Sequence, residues 1–132
     1  MFLYRRIAWS RLGGIAYISL DNSEVRFRCL RFHSTTAKWE LSKDYTIVQR
    51  PVTDENYAFA HLEWSQTGTD LAIADIVGRI SVYTFSTTAV NHSTAAPIAA
   101  VDRQNELDRA VGMFWLNPDR QAGCPHLLLA GC

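Results

Sequence analysis

The sequence predicts an all-β chain built from repeated antiparallel sheets, and three observations carry that prediction. The first is self-similarity: Trp9-Ser10-Arg11-Leu12-Gly13 returns as Trp64-Ser65-Gln66-Thr67-Gly68, and a third copy starts at Phe114-Trp115-Leu116-Asn117. The offset is 55 residues from Trp9 to Trp64 and 51 from Trp64 to Trp115. A period of this length marks a stacked or radial array of small supersecondary units. The second is alternation of apolar and polar residues over short runs, the period of a half-buried strand. The third is punctuation of those runs by glycine-bearing turns, where a tight connection needs positive φ.

Each element follows in order. Arg6–Trp9 leads to a turn over Ser10–Gly14, and Ile15–Ile18 is a short strand. After a turn at 20–23, Glu24–Phe32 is a longer alternating strand with Val25, Phe27 and Cys29 on one face and Arg26, Arg28 and Leu30 on the other. Ser42–Val48 supplies a weaker fourth strand whose apolar part is Ile47 and Val48. The second repeat runs Phe59–Trp64, Leu71–Ala74 and Arg79–Phe85, with turns at 65–68 and 75–78. A gapless offset of 55 sets Ile73 on Ile18, Ile80 on Val25 and Val82 on Phe27. In the third repeat, His126–Ala130 reads as the second strand.

Three β-runs and a weaker fourth per repeat are the make-up of a propeller blade. Blades of this kind span about 40–45 residues. The excess here falls in two polar loops, Arg50–Asn56 and Ser86–Ala96, while Asp102–Arg109 reads as a solvated loop or short helix. The expected division is a blade over 1–50, a blade over 51–106 and a partial blade over 107–132. About two blades and the start of a third fall short of the roughly four to eight that close a propeller. The chain is therefore expected to be a truncated piece that exposes sheet edges and apolar surface.

Composition narrows the function classes. The 132 residues fit one domain, and 48% hydrophobic content is enough for a core. Thirteen basic and thirteen acidic residues give net charge +0, which leaves no electrostatic claim on nucleic acid or an anionic membrane. No apolar run nears the roughly 18 residues of a membrane span. Arg5 and Arg6 interrupt the start before a secretory h-region forms. Cys29, Cys124 and Cys132 are odd in number and widely spaced, which favours reduced thiols over a disulfide framework. The sequon Asn91-His92-Ser93 carries little weight without a secretory signal.

The residues that invite chemistry have plainer readings. Cys124-Pro125-His126 with Cys132 lacks the second ligand pair of a structural zinc site, so no metal ligands are assigned. His61 reads as a structural hydrogen-bonding residue, since no nucleophile elbow accompanies it. Gly13, Gly14 and Gly78 are turn glycines outside any phosphate-binding pattern, so no cofactor site is assigned. Trp9, Trp64 and Trp115 occupy equivalent repeat positions, which favours packing. Trp39 lies outside that equivalence and reads as a surface or interface residue, with a loop-anchoring core contact as the alternative. Arg26, Arg28 and Arg31 form nearly a stripe on one face of a strand, either a solvated face or a contact for an acidic partner. Trp39, Arg26, Arg28 and Arg31 are thus the candidate interaction residues; catalytic residues are none.

Several segments also resemble the fungal Mediator tail subunit 16 family, whose N-terminal part is a WD40-type β-propeller. They are Arg6–Gly13 with Ile15–Ser19, Lys38–Ser42, Leu71–Asp75 with Gly78–Tyr83, and Val111–Asn117, in the family's order and covering most of the chain. The Trp-Asp pair of a typical WD40 repeat is Tyr83-Thr84 here, and no Gly-His pair is evident. The resemblance implies a non-enzymatic scaffold in the Mediator complex, located in the nucleus. Its implied partners are other tail-module subunits and, indirectly, activators and RNA polymerase II; direct nucleic-acid, membrane or small-molecule binding is not implied. A WD40-type adaptor in another intracellular complex is the alternative. An enzyme on this fold is a third reading, disfavoured because no acid/base pair or metal cluster recurs among the repeats.

Overall fold

A computed structural model of the chain describes residues 5–50, 58–85, 99–101, 112–116 and 127–131. The expected loops at 51–56 and 86–96, the charged stretch 102–109, and Cys124, Pro125, His126 and Cys132 lie outside these residues. Every regular element among the described residues is a β-strand.

Three antiparallel sheets follow one another along the chain. The first holds β1 (Ile7–Trp9), β2 (Gly14–Ile18), β3 (Glu24–His33), β4 (Lys38–Leu41) and β5 (Tyr45–Gln49). The second holds β6 (Phe59–Trp64), β7 (Asp70–Asp75), β8 (Ile80–Thr84) and β9 (Ala99–Val101), paired in sequence order. The third pairs β10 (Gly112–Leu116) with β11 (Leu127–Gly131). In the first sheet β5 pairs with the Glu24–Phe27 half of β3, just as β9 pairs with β8. The all-β reading and the repeated four-strand meander agree with a partial WD40-type propeller. β5 and β11 fall where the sequence placed Ser42–Val48 and His126–Ala130.

Turn chemistry sets the first connection of each repeat. Gly13 and Gly68 both hold positive φ, 89° and 80°. A Cβ on Gly13 would stand 2.7 Å from the Leu30 carbonyl oxygen, and one on Gly68 would stand 2.5 Å from Ser10 Oγ. Only glycine meets both demands. The Gly68 contact also joins two repeats: Ser10 Oγ donates to the Gly68 carbonyl at 2.8 Å.

Register corrects the gapless alignment. Trp9 pairs with Ile15, whereas Trp64 pairs with Leu71, so the first turn of the second repeat is one residue longer. The next connection is one residue shorter, because Ala16 pairs with Phe27 and Ala72 with Val82. The structural equivalent of Ile18 is therefore Ala74, not Ile73, while Val25–Ile80 and Phe27–Val82 stand. A one-residue slip moves a strand's side chains to the opposite face, so the difference decides which residues meet between sheets.

With that register the packing is orderly. Ala8, Ala16, Ile18, Val25 and Phe27 share one face of the first sheet and are buried, with Ile47 of β5 in the same core. Against them lies a face of the second sheet formed by Leu62, Trp64, Leu71, Ile73 and Tyr83. Phe27 stacks on Phe85 with ring centroids 5.0 Å apart, and Trp64 tilts against both rings. Burying each of Leu62, Leu71 and Val25 contributes about 1.5–3 kcal/mol by area. The opposite face of the second sheet carries the smaller Ala72 and Ala74 with Val82, and these pack against Met113 and Trp115. Large side chains of one sheet thus enter a face lined with alanine on the sheet before it.

The three repeat tryptophans do not share one environment. Trp64 is 8% exposed and Trp115 is half-buried, as a packing role requires, but Trp9 is 65% exposed. Trp64 and Trp115 each have a preceding sheet to pack on; among the described residues Trp9 has none.

Candidate interaction surface

The candidate residues gather around β3, whose two halves do different work. Its first half pairs with β2 and β5 inside the sheet. Its second half, Leu30–His33, leaves them and pairs with β4 alone. The corresponding strand β8 ends at Thr84. In the first sheet the β3–β4 hairpin thus extends beyond the four strands β1, β2, β3 and β5. Residues 34–37 close it, with Ala37 in the left-handed region at φ 51°.

Alternation makes this hairpin two-faced. Leu30 pairs with Leu41 and Phe32 with Trp39, so these four share one face. Arg31 pairs with Glu40 and His33 with Lys38 on the other. The Phe32 and Trp39 rings meet at 5.3 Å and 54°, an aromatic pair worth about 0.5–1.5 kcal/mol beyond area burial. Both remain open to solvent, at 53% and 66% exposure, with exposed Leu41 beside them. On the polar face His33 Nε2 stands 3.0 Å from Glu40 Oε2.

The candidate arginines separate into two roles. Arg26 is held within the sheet: its Nε lies 3.2 Å from Asp44 Oδ2, and the same carboxylate oxygen accepts from the Tyr17 hydroxyl at 2.6 Å. Burial and that hydrogen bond raise the Tyr17 phenol above its usual range. Arg28 Nε donates to the Ser42 carbonyl at 3.1 Å, which ties β3 to the end of the hairpin. Arg31 is exposed and, by alternation, faces away from Arg26 and Arg28, so the three do not form the one-face stripe expected from the sequence. Trp39 and Arg31 thus lie on opposite faces of the hairpin, and Arg26 and Arg28 brace its base.

Phe32 and Leu41 were not singled out from sequence. The signal was present: Leu30-Arg31-Phe32-His33 and Lys38-Trp39-Glu40-Leu41 alternate in mirror order around a Ser-Thr-Thr-Ala turn. His61 is buried, and its Nδ1 accepts from the Arg5 backbone N–H at 3.4 Å, while burial and the nearby Arg5 charge lower its pKa. That is a structural role between two sheets. Among the described residues no group of three or more His, Cys, Asp or Glu is placed to hold a metal ion. No helix among them is long and apolar enough to cross a membrane.

No family model matches the chain, and no solved structure matches it. Curated relatives do match. A Mediator of RNA polymerase II transcription subunit 16 from Neosartorya fischeri is 41% identical over 118 residues, 88% of this chain. One from Aspergillus clavatus is 40% identical over 124 residues, 92% of this chain, and one from Yarrowia lipolytica is 31% identical over 86% of it. The chain spans only 12% of the first relative's length and 13% of the other two. Identity of this order makes the chain similar, over nearly its whole length, to one segment of the Mediator subunit 16 proteins.

Proposed function

We propose that this chain is a non-catalytic part of a Mediator component, acting in the nucleus as a scaffold that holds other proteins. The observation that supports this most is the 41% identity over 88% of the chain to a Mediator subunit 16. The architecture suits the role: stacked sheets supply a rigid body, and the β3–β4 hairpin offers exposed aromatic side chains on it. Aromatic residues are enriched at protein interfaces, and a few such anchors carry most of the binding energy.

In this reading the partners are other Mediator tail-module subunits, and through them activators and RNA polymerase II. Trp39 with Phe32 and Leu41 forms the apolar anchor, Arg31 lies on the hairpin's other face, and Arg26 and Arg28 hold its base in place. Nucleic acid is not a direct partner, because the net charge of +0 offers no phosphate-binding surplus. Affinity purification of a tagged chain from fungal nuclear extract tests the reading. Recovery of Mediator subunits is the expected result. Recovery of an unrelated assembly refutes it and leaves a general WD40-type adaptor.

A further inference from the structure

We propose that Ser34, at the tip of the β3–β4 hairpin, is a phosphate-acceptor site for a serine/threonine kinase that reads basic residues, and that the phosphate closes the hairpin's apolar face to partners. The second part rests on the reading of the hairpin as a protein contact; the first part does not.

The inference starts from exposure. Every residue from 31 to 41 is exposed. The second sheet packs on the first through Ala8, Ala16, Val25 and Phe27, and no residue of 31–41 enters either core. Sheet-on-sheet stacking, the contact by which one repeat covers another here, thus leaves the hairpin tip outside it. Ser34 is the first turn residue after β3. The three residues before it are already extended, with β4 on one side and, among the described residues, no strand on the other. A kinase cleft can take that segment without unfolding the sheet.

Charge marks Ser34 among the hydroxyl residues of the turn. Arg31 stands three residues before Ser34, whereas Phe32 and His33 stand three before Thr35 and Thr36. Arg31 is exposed, and Glu40, its cross-strand neighbour, meets His33 at 3.0 Å. Its guanidinium is open to an acidic substrate groove, and charge patterns of this kind are how kinases choose substrates.

The step is an ordinary phosphoryl transfer from a nucleoside triphosphate. Ser34 Oγ attacks the γ-phosphorus, and an O–P bond forms. The bond from that phosphorus to the β,γ-bridging oxygen breaks. The nucleoside diphosphate leaves with the electron pair, and the hydroxyl proton passes to the kinase's carboxylate base.

The product changes the hairpin's apolar face. Ser34 lies two residues beyond Phe32, at the end of the row that Leu30 and Phe32 begin. A phosphate there carries about −1.5 to −2 charges at pH 7, and in an apolar contact it opposes association through its desolvation cost. The Phe32–Trp39 ring pair belongs to the hairpin itself and stays formed, but a partner that covers it has to bury the phosphate as well.

The test uses the whole chain, the purified catalytic domain of a kinase selective for basic substrates, magnesium and ATP, with the site read by tandem mass spectrometry. One phosphate on Ser34 is the expected result. Arg31→Ala should slow its transfer at least about tenfold, the loss of one charge-assisted contact. Circular dichroism of that variant should be unchanged, since Arg31 is exposed. No transfer, transfer only to other residues, or transfer to Ser34 at an equal rate without Arg31 overturns the site. The phosphorylated and unmodified chains are then compared for the proteins each retains from fungal nuclear extract, with Ser34→Ala as the form that cannot be modified. The phosphorylated chain should retain at least about tenfold less, and Ser34→Ala as much as the unmodified chain. Equal retention by the phosphorylated and unmodified chains overturns the closing of the face. If the unmodified chain retains an assembly other than Mediator, the function proposed above fails, while transfer to Ser34 and loss of that assembly on phosphorylation still uphold this proposal.

Discussion

Trp64 and Trp9 occupy the same repeat position, and truncating each separates what that position does from where it sits. Trp64 is buried, its ring tilts against Phe27 and Phe85 at 6.1 and 5.3 Å, and its indole donates to the Ala8 carbonyl. Trp64→Ala removes an aromatic side chain from the junction of two sheets, at a cost of about 3–5 kcal/mol. About 1 kcal/mol of that is the hydrogen bond. Trp64→Phe keeps a ring and loses the donor and some volume, costing about 1–3 kcal/mol. Trp9→Ala should change stability by no more than about 0.5 kcal/mol, as at an exposed site. Against a total of about 5–15 kcal/mol for a domain, the first substitution is severe and the last barely visible. Urea unfolding followed by far-UV circular dichroism measures all three. Equal losses for Trp9→Ala and Trp64→Ala would refute the packing described, as would a loss below about 1 kcal/mol for Trp64→Ala.

Three other outcomes follow from single residues. Gly68→Ala forces a Cβ to within 2.5 Å of Ser10 Oγ at a φ of 80°, and should destabilise by more than about 1 kcal/mol by thermal denaturation. Ala37 holds φ 51° at the hairpin turn, so Ala37→Gly should stabilise by about 0.5–1 kcal/mol, read as a higher unfolding midpoint. The pKa of buried His61 is lowered from 6.5, so the unfolded chain binds more protons than the folded one as pH falls through that value. Stability should therefore decline on acidification below about pH 6.5, and a His61→Gln variant should show a smaller decline in urea titrations at several pH values.

Much of this architecture is legible in the sequence because it is local. Alternation in Arg79–Phe85 and Glu24–Phe32, and glycines where φ must be positive, mark strands and turns without reference to the rest of the chain. What escaped was set by pairing. The register of β2 and β7 depends on two turn lengths that differ by one residue in opposite senses, so a gapless alignment restores itself by β3 and hides the slip. The exposure of Trp9 is invisible in its own neighbourhood, since a repeat tryptophan is buried by the sheet before it. The apolar hairpin face escaped for a similar reason: Phe32 and Leu41 join Trp39 only when Leu30–His33 leaves one sheet partner for another. Trp39 stands outside the repeat, which leaves a surface position and a loop-anchoring core contact both open in the sequence; its side chain is 66% exposed. Arg26, Arg28 and Arg31 read as a stripe on one face of a strand, but alternation turns Arg31 to the other face, and Asp44 and Ser42 hold Arg26 and Arg28 at the hairpin's base.

The proposed hold on Mediator partners through the hairpin is tested by comparing two tagged forms in nuclear extract. One is the native chain and the other carries Phe32→Ala with Trp39→Ala, with circular dichroism confirming that both are folded. Quantitative mass spectrometry of the retained proteins should find Mediator subunits on the native chain and at least about tenfold less on the variant, the loss expected when two aromatic anchors are removed. Equal recovery on both forms, or no Mediator subunits on the native chain, would contradict the account.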